Sequence, residues 1–241
     1  MTASTVSPYK SWTLSIGLLL MTLAAFYMGF YSVSIPNQQA HKTMTTANLG
    51  EGFFEKWFLP YHNSSTLKYW AFVLHVVPGG VVFFLTPLQF IQTLRKTIPA
   101  LHRFMGYLTL TSVCISVPAA LWLLTSSLMG PICALTSLVV GVWCLFCVYR
   151  AWETARAKDF VSHRKFTIRM WSVCFGIFVM RIFIGMVKNV FYPEHAWLED
   201  QMAMTLFSIE FVVGWAMSCG FGELYLKMTS WEVSDEGKKS H

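Results

Sequence analysis

The residues of this chain that could do chemistry are seven histidines and a few charges set inside long apolar runs. Two histidines recur in one setting. His102-Arg103 opens one apolar run, and His163-Arg164-Lys165 opens another. Neutral imidazole is a good iron ligand, so two of them at one depth on facing helices could hold a haem as axial ligands. Arg103, Arg164 and Lys165 stand beside them as partners for haem propionates. The same residues suit a plainer role, because His and Arg at a membrane boundary also snorkel to lipid phosphates.

Three polar groups lie deeper. His75 falls about 9 Å along its run, Arg181 about 15 Å from the end of its own, and Glu210 about 14 Å into the last one. A charge facing lipid costs several kcal/mol, so Arg181 and Glu210, on consecutive runs at matching depth, are expected to form a buried ion pair. That pair could simply fix the register of two helices. With His75 it could instead line a polar chamber for a proton, an anion or a cofactor edge. His41, His62 and His195 fall in connecting segments, and nothing in the spacing places them in a site. No Ser/His/Asp order, HExxH, phosphate-binding loop or dinucleotide fingerprint is present, and no catalytic residue is assigned.

The elements that must position these groups follow from composition. Of 241 residues 55% are hydrophobic and 12% charged, with mean hydropathy +0.50. A soluble domain carries about a quarter charged residues. This chain cannot coat itself with ions, so a lipid bilayer is its expected solvent. The class is all-α: an integral membrane bundle of six transmembrane helices, over 11–31, 69–93, 104–126, 132–149, 165–191 and 201–226. Three parts result: 1–68, an N-terminal helix and outer loop with a possible interfacial helix at 51–59; 69–226, a five-helix membrane core; and 227–241, a polar tail. The second run carries Pro78-Gly79-Gly80 and Pro87, which predict a kinked or broken helix.

Six spans put both termini on one side. The basic loops share that side and an acidic turn lies on the other, so the termini are expected on the cytoplasmic or equivalent face. The net charge of +6 is then a matter of topology, and nucleic acid is excluded as a partner. The six cysteines lie in or beside apolar runs and suggest no disulfide framework. The stripe Gly214, Ser218, Gly222 lets another helix come close.

Three motifs carry a resemblance: His75 followed by Pro87-Leu88-Gln89-Phe90, the junction Leu101–Tyr107 (LHRFMGY), and Ser162–Arg169 (SHRKFTIR) with Met180–Ile182 after it. Together these resemble a domain-of-unknown-function family of multipass membrane proteins. The layout is also similar to the cytochrome b561 and ferric-reductase group, in which histidines on four consecutive core helices hold two haems. That resemblance implies haem b, with His102 and His163 as one metal-ligating pair and His75 as half of another. The fourth span lacks the histidine that His75 would need. The functions implied are transmembrane electron transfer, or alternatively a non-enzymatic subunit or scaffold bound to membrane-protein partners. A transporter is a third possibility, resting on the second run and the Arg181/Glu210 pair.

Overall fold

The computed structural model describes residues 8–49, 52, 54–64, 66–126, 130–191 and 201–229. Among these every regular element is helical. In chain order they are α1 (Pro8–Ser34), α2 (Gln38–Leu49), a π-helical turn (Phe54–Phe58) running into α3 (Leu59–His62), α4 (Thr66–Gln89), α5 (Gln92–Thr97), α6 (Pro99–Leu123), α7 (Gly130–Arg156), α8 (Phe160–Phe191) and α9 (Gln201–Met228). Five of them, α4 and α6 to α9, are long and apolar enough to cross a membrane. In α1 the stretch whose side chains are described, Leu19–Ser34, is apolar as well. The acidic turn at 192–200 and the tail after 229 lie outside the described residues, as does His195.

The long helices pair antiparallel in sequence order. Gly29 of α1 meets Gly80 of α4, and each would place a Cβ within 3.1 Å of the other's carbonyl oxygen. This close crossing is why the Pro-Gly-Gly segment needs glycine there. Contrary to the expected break, α4 runs on through both Pro78 and Pro87. Neighbouring helices can hold a proline-containing span in line where the freed carbonyls find other partners. α6 lies along α4, α7 along α6, α8 along α7 and α9 along α8. The connection from α7 to α8 is shorter than the charge pattern suggests, only Ala157, Lys158 and Asp159. Lys158 takes φ 61° there, and the Asp159 carboxylate accepts the Ser162 amide hydrogen at 3.0 Å as the N-cap of α8.

The middle of the bundle is filled. Val82 and Phe83 from α4, Val113 from α6, Cys144, Cys147 and Val148 from α7, and Met170, Trp171 and Val173 from α8 form one buried cluster with Ala25 and Met28 of α1. A second cluster, around Phe54, Phe58, Phe72, Leu123, Ile184 and Phe207, closes the end away from the basic loops. All six cysteines are free thiols.

Candidate functional site

At the basic end, His102 lies in the first turn of α6 and His163 in the first turn of α8. The two imidazoles are close enough to act on each other electrostatically. His163 Nδ1 lies 2.8 Å from the Ala151 carbonyl oxygen. A carbonyl only accepts, so Nδ1 carries a proton, and Nε2 is the ring nitrogen through which a metal would bind. His102 Nδ1 is buried and has no hydrogen-bond partner within the chain. The donors of this mouth therefore suit a metal bound through two imidazoles. Among the described residues no group of three or more His, Cys, Asp or Glu side chains is placed to hold a metal ion. The flanking cations are disposed differently from the expected propionate partners. Arg103 is exposed, and Arg164 turns to α9, donating to Thr229 Oγ1 at 2.8 Å and lying 5.6 Å from the Tyr225 ring centre.

His75 faces α6 and locks onto it. Its Nδ1 lies 3.1 Å from both the carbonyl and the hydroxyl oxygen of Ser116, and Ser116 Oγ donates back to the His75 carbonyl at 2.6 Å. One ring nitrogen is thus engaged in a reciprocal clamp between α4 and α6. Further along the same seam come Thr86 and Gln89 on α4 and Thr109 on α6. Thr86 Oγ1, Gln89 Nε2 and Thr109 Oγ1 are buried without partners in the chain, as is His102 Nδ1 at its end.

At the opposite end lies a cluster that spacing alone does not reveal. The Tyr31 hydroxyl sits 2.9 Å from Thr45 Oγ1 and 3.0 Å from His41 Nε2, and His41 Nδ1 sits 3.1 Å from His62 Nε2. His41 is fully buried, packed by the rings of Phe54, Phe58 and Phe72. Burial first, then His62 and Arg181, push its pKa from the ordinary 6.5 down to about 3. Burial also lowers that of His62. Two apolar residues of the segment expected at the interface, Phe54 and Phe58, turn inward to build this cap.

Arg181 and Glu210 share that end. The Arg181 guanidinium lies 5.8 Å from the Phe58 ring centre, and its charge acts on Tyr31, His41 and Glu210. Glu210 is 3% exposed and borders a small cavity with Phe183, Ile184, Val187, Leu206 and Phe207. The two feel each other's field without the direct salt bridge their spacing suggests, and the guanidinium lies beside the Phe58 ring. The direct ionic contact between α8 and α9 is a different one. Arg169 grips Glu223 through two bonds, Nε to Oε1 at 2.6 Å and the second nitrogen to Oε2 at 3.0 Å. The depth argument that selected Arg181 and Glu210 applies equally to this pair, since both lie about one turn inside their spans at the basic end.

Comparison with known proteins adds one finding on the membrane core. A family model described as "Predicted membrane protein (DUF2306)" matches residues 72–224. No curated protein and no solved structure matches the chain.

Proposed function

The chain belongs to this family of predicted membrane proteins, and on that premise we propose that it is a haem-binding electron carrier of the lipid bilayer, with one b-type haem held by His102 and His163 at the basic end. The observation that carries the reading is the pair of imidazoles at that mouth. One has its Nδ1 proton fixed by Ala151, and the other has a buried Nδ1 that nothing in the chain satisfies. α6 packs on α4 and α7 while α8 packs on α7 and α9, so the two histidines stand at the same end of the core on alternate helices. Such a group supplies one-electron chemistry when bound. The chain's own part is to present the two imidazoles at one end of the bundle, with the His163 Nδ1 proton held by the Ala151 carbonyl. A second haem has no place in this reading. α7 carries no histidine, His75 is clamped to Ser116, and the cluster of Val82, Phe83, Val113 and Trp171 fills the middle.

α1 is read as the sixth span, and both termini then fall on the basic face. The concentration of Lys and Arg in the 92–103 and 150–165 segments supports placing that face on the cytoplasmic or equivalent side. The second reading is a non-enzymatic subunit or scaffold serving a membrane-protein partner. It is favoured by the commitment of Arg164 to Thr229, which turns one of the expected propionate partners toward α9.

The absorption spectrum of the detergent-purified full chain separates the two. The haem reading expects a Soret band that disappears in His102→Ala and His163→Ala and survives in His75→Ala. A colourless, helical, monodisperse wild-type protein overturns it and leaves the scaffold.

A further inference from the structure

The α4–α6 seam holds more polar groups than two packed helices need. Its basic half carries Thr86 and Gln89 on one wall and His102 and Thr109 on the other. Gly106 lies between those last two, and a Cβ there would fall 3.5 Å from Gln89 Oε1. Thr86 and Gln89 are one turn apart on α4. His102, Gly106 and Thr109 repeat along one stripe of α6, so Thr86, Gln89 and Thr109 line the same contact and His102 stands at its mouth. Thr86 is 0% and Thr109 3% exposed, so bulk solvent does not reach their hydroxyls directly. Each of the four presents an atom with no partner in the chain. Pro87 adds to the deficit, since it has no amide hydrogen for the carbonyl of Phe83 one turn earlier.

A buried hydroxyl or amide left unmatched costs about 1–3 kcal/mol, and native interiors rarely leave several together. The set mixes donors and acceptors and carries no fixed charge. Such a set does not select an ion; it selects a molecule that donates and accepts in equal measure. From His102 to Thr109 α6 rises about 10 Å, and beyond that Val82 and Val113 of the buried cluster close the seam.

We propose that the basic half of the α4–α6 seam is a hydrated half-channel, a file of internal waters that enters beside His102, is held by Gln89, Thr86 and Thr109, and stops where Val82 and Val113 of the packed core close the seam. The proposal is independent of the haem reading. It also gives His102 Nδ1 its missing partner whether or not Nε2 binds a metal.

The test uses the full chain with its six native cysteines replaced. Thr86→Cys and Thr109→Cys are introduced singly, with Val82→Cys and Val113→Cys as controls on the same two helices. Thiols react as thiolates, which form only where water reaches them. A small water-soluble methanethiosulfonate should modify positions 86 and 109 about 100-fold faster than 82 and 113. Equal, slow labelling at all four positions overturns the half-channel. If a cysteine variant fails to fold, Thr86→Val and Thr109→Val decide in the native background. Removing a hydroxyl that holds water should lower Tm by about 2–4 °C. If the hydroxyls are dry and unmatched, the same change holds or raises Tm, and the proposal falls.

Discussion

The bundle contains two antiparallel seams that are both rich in polar residues, and they treat those residues oppositely. Along α8–α9 the polar groups are matched. Ser218 Oγ donates to the Ser172 carbonyl at 2.6 Å, Trp215 Nε1 donates to the Val173 carbonyl at 3.0 Å, and Arg169 and Glu223 hold each other. Along α4–α6 the His75–Ser116 clamp is matched, while Thr86, Gln89, His102 and Thr109 each keep an orphaned atom. The first seam acts as an adhesive. In lipid, helices gain little by hiding apolar surface from each other, so small residues and hydrogen bonds must hold them. The second seam offers unspent hydrogen-bonding capacity, which marks a place for something that is not protein.

The comparison breaks most visibly at the glycines of α8–α9. A Cβ on Gly176 would collide with the Trp215 indole, and one on Gly222 with Ser172; on Gly214 it would lie 2.6 Å from Met180 Cγ. Gly176→Leu or Gly222→Leu should therefore force the two helices apart, at a cost of about 3 kcal/mol or more. The expected readout is loss of the monodisperse peak in detergent. A wild-type elution profile and Tm for either variant would mean that this seam is not what joins α9 to the core.

Next in size is the ion pair. Arg169→Leu strands the Glu223 carboxylate near the membrane boundary, with an expected loss of about 2 kcal/mol, because its side chain is only partly sheltered. Arg169→Leu combined with Glu223→Leu should recover most of that loss, since the pair contributes through mutual compensation and not through net attraction. A double variant as unstable as the sum of the single ones would show that the two act separately.

How far such features can be read in advance depends on the range of the interaction. The lipid solvent, the five core spans and the basic end were legible, because each depends on residue type summed over a window. The Gly214, Ser218, Gly222 stripe was legible too, and it does face α8. Depth arithmetic put Arg181 and Glu210 at one level. It could not foresee that Phe58, from a different segment, would pack beside the guanidinium. The contact between His41 and His62 spans 21 positions and depends on α2 and the π-helical turn folding back over α4, which no periodicity encodes. The orphaned atoms of Thr86 and Thr109 are equally invisible in sequence, where threonine inside a span reads as an ordinary self-bonded residue.

The cap around His41 belongs with the matched seam, and pH tests that grouping. His41 is neutral in the fold, with a pKa near 3 against 6.5 for the ordinary imidazole. Between those values the unfolded chain binds the extra proton, so stability is full above about pH 6.5 and falls as pH drops toward 3. The slope is at most about 1.4 kcal/mol per pH unit from this residue. Thermal unfolding at pH 7.5, 6.0 and 5.0 should show a falling Tm, and His41→Phe should flatten the decline below pH 6.5. An unchanged slope in that variant would remove His41 from the matched group.

The smallest effect is the most discriminating for the packing account. Gly220 and Gly222 lie two residues apart on α9 with the same backbone conformation, yet a Cβ on Gly220 meets nothing within 4 Å. Helix propensity alone favours alanine over glycine at both positions by up to about 1 kcal/mol. If glycine serves α9 only where α8 comes close, Gly220→Ala should leave Tm unchanged or slightly raised, while Gly222→Ala lowers it by several degrees through the Ser172 contact. Equal losses at both positions would mean that glycine is needed along α9 for a reason other than its approach to α8. The contrast between a seam held by close glycine contacts and one with unmatched polar groups would then lose its structural basis.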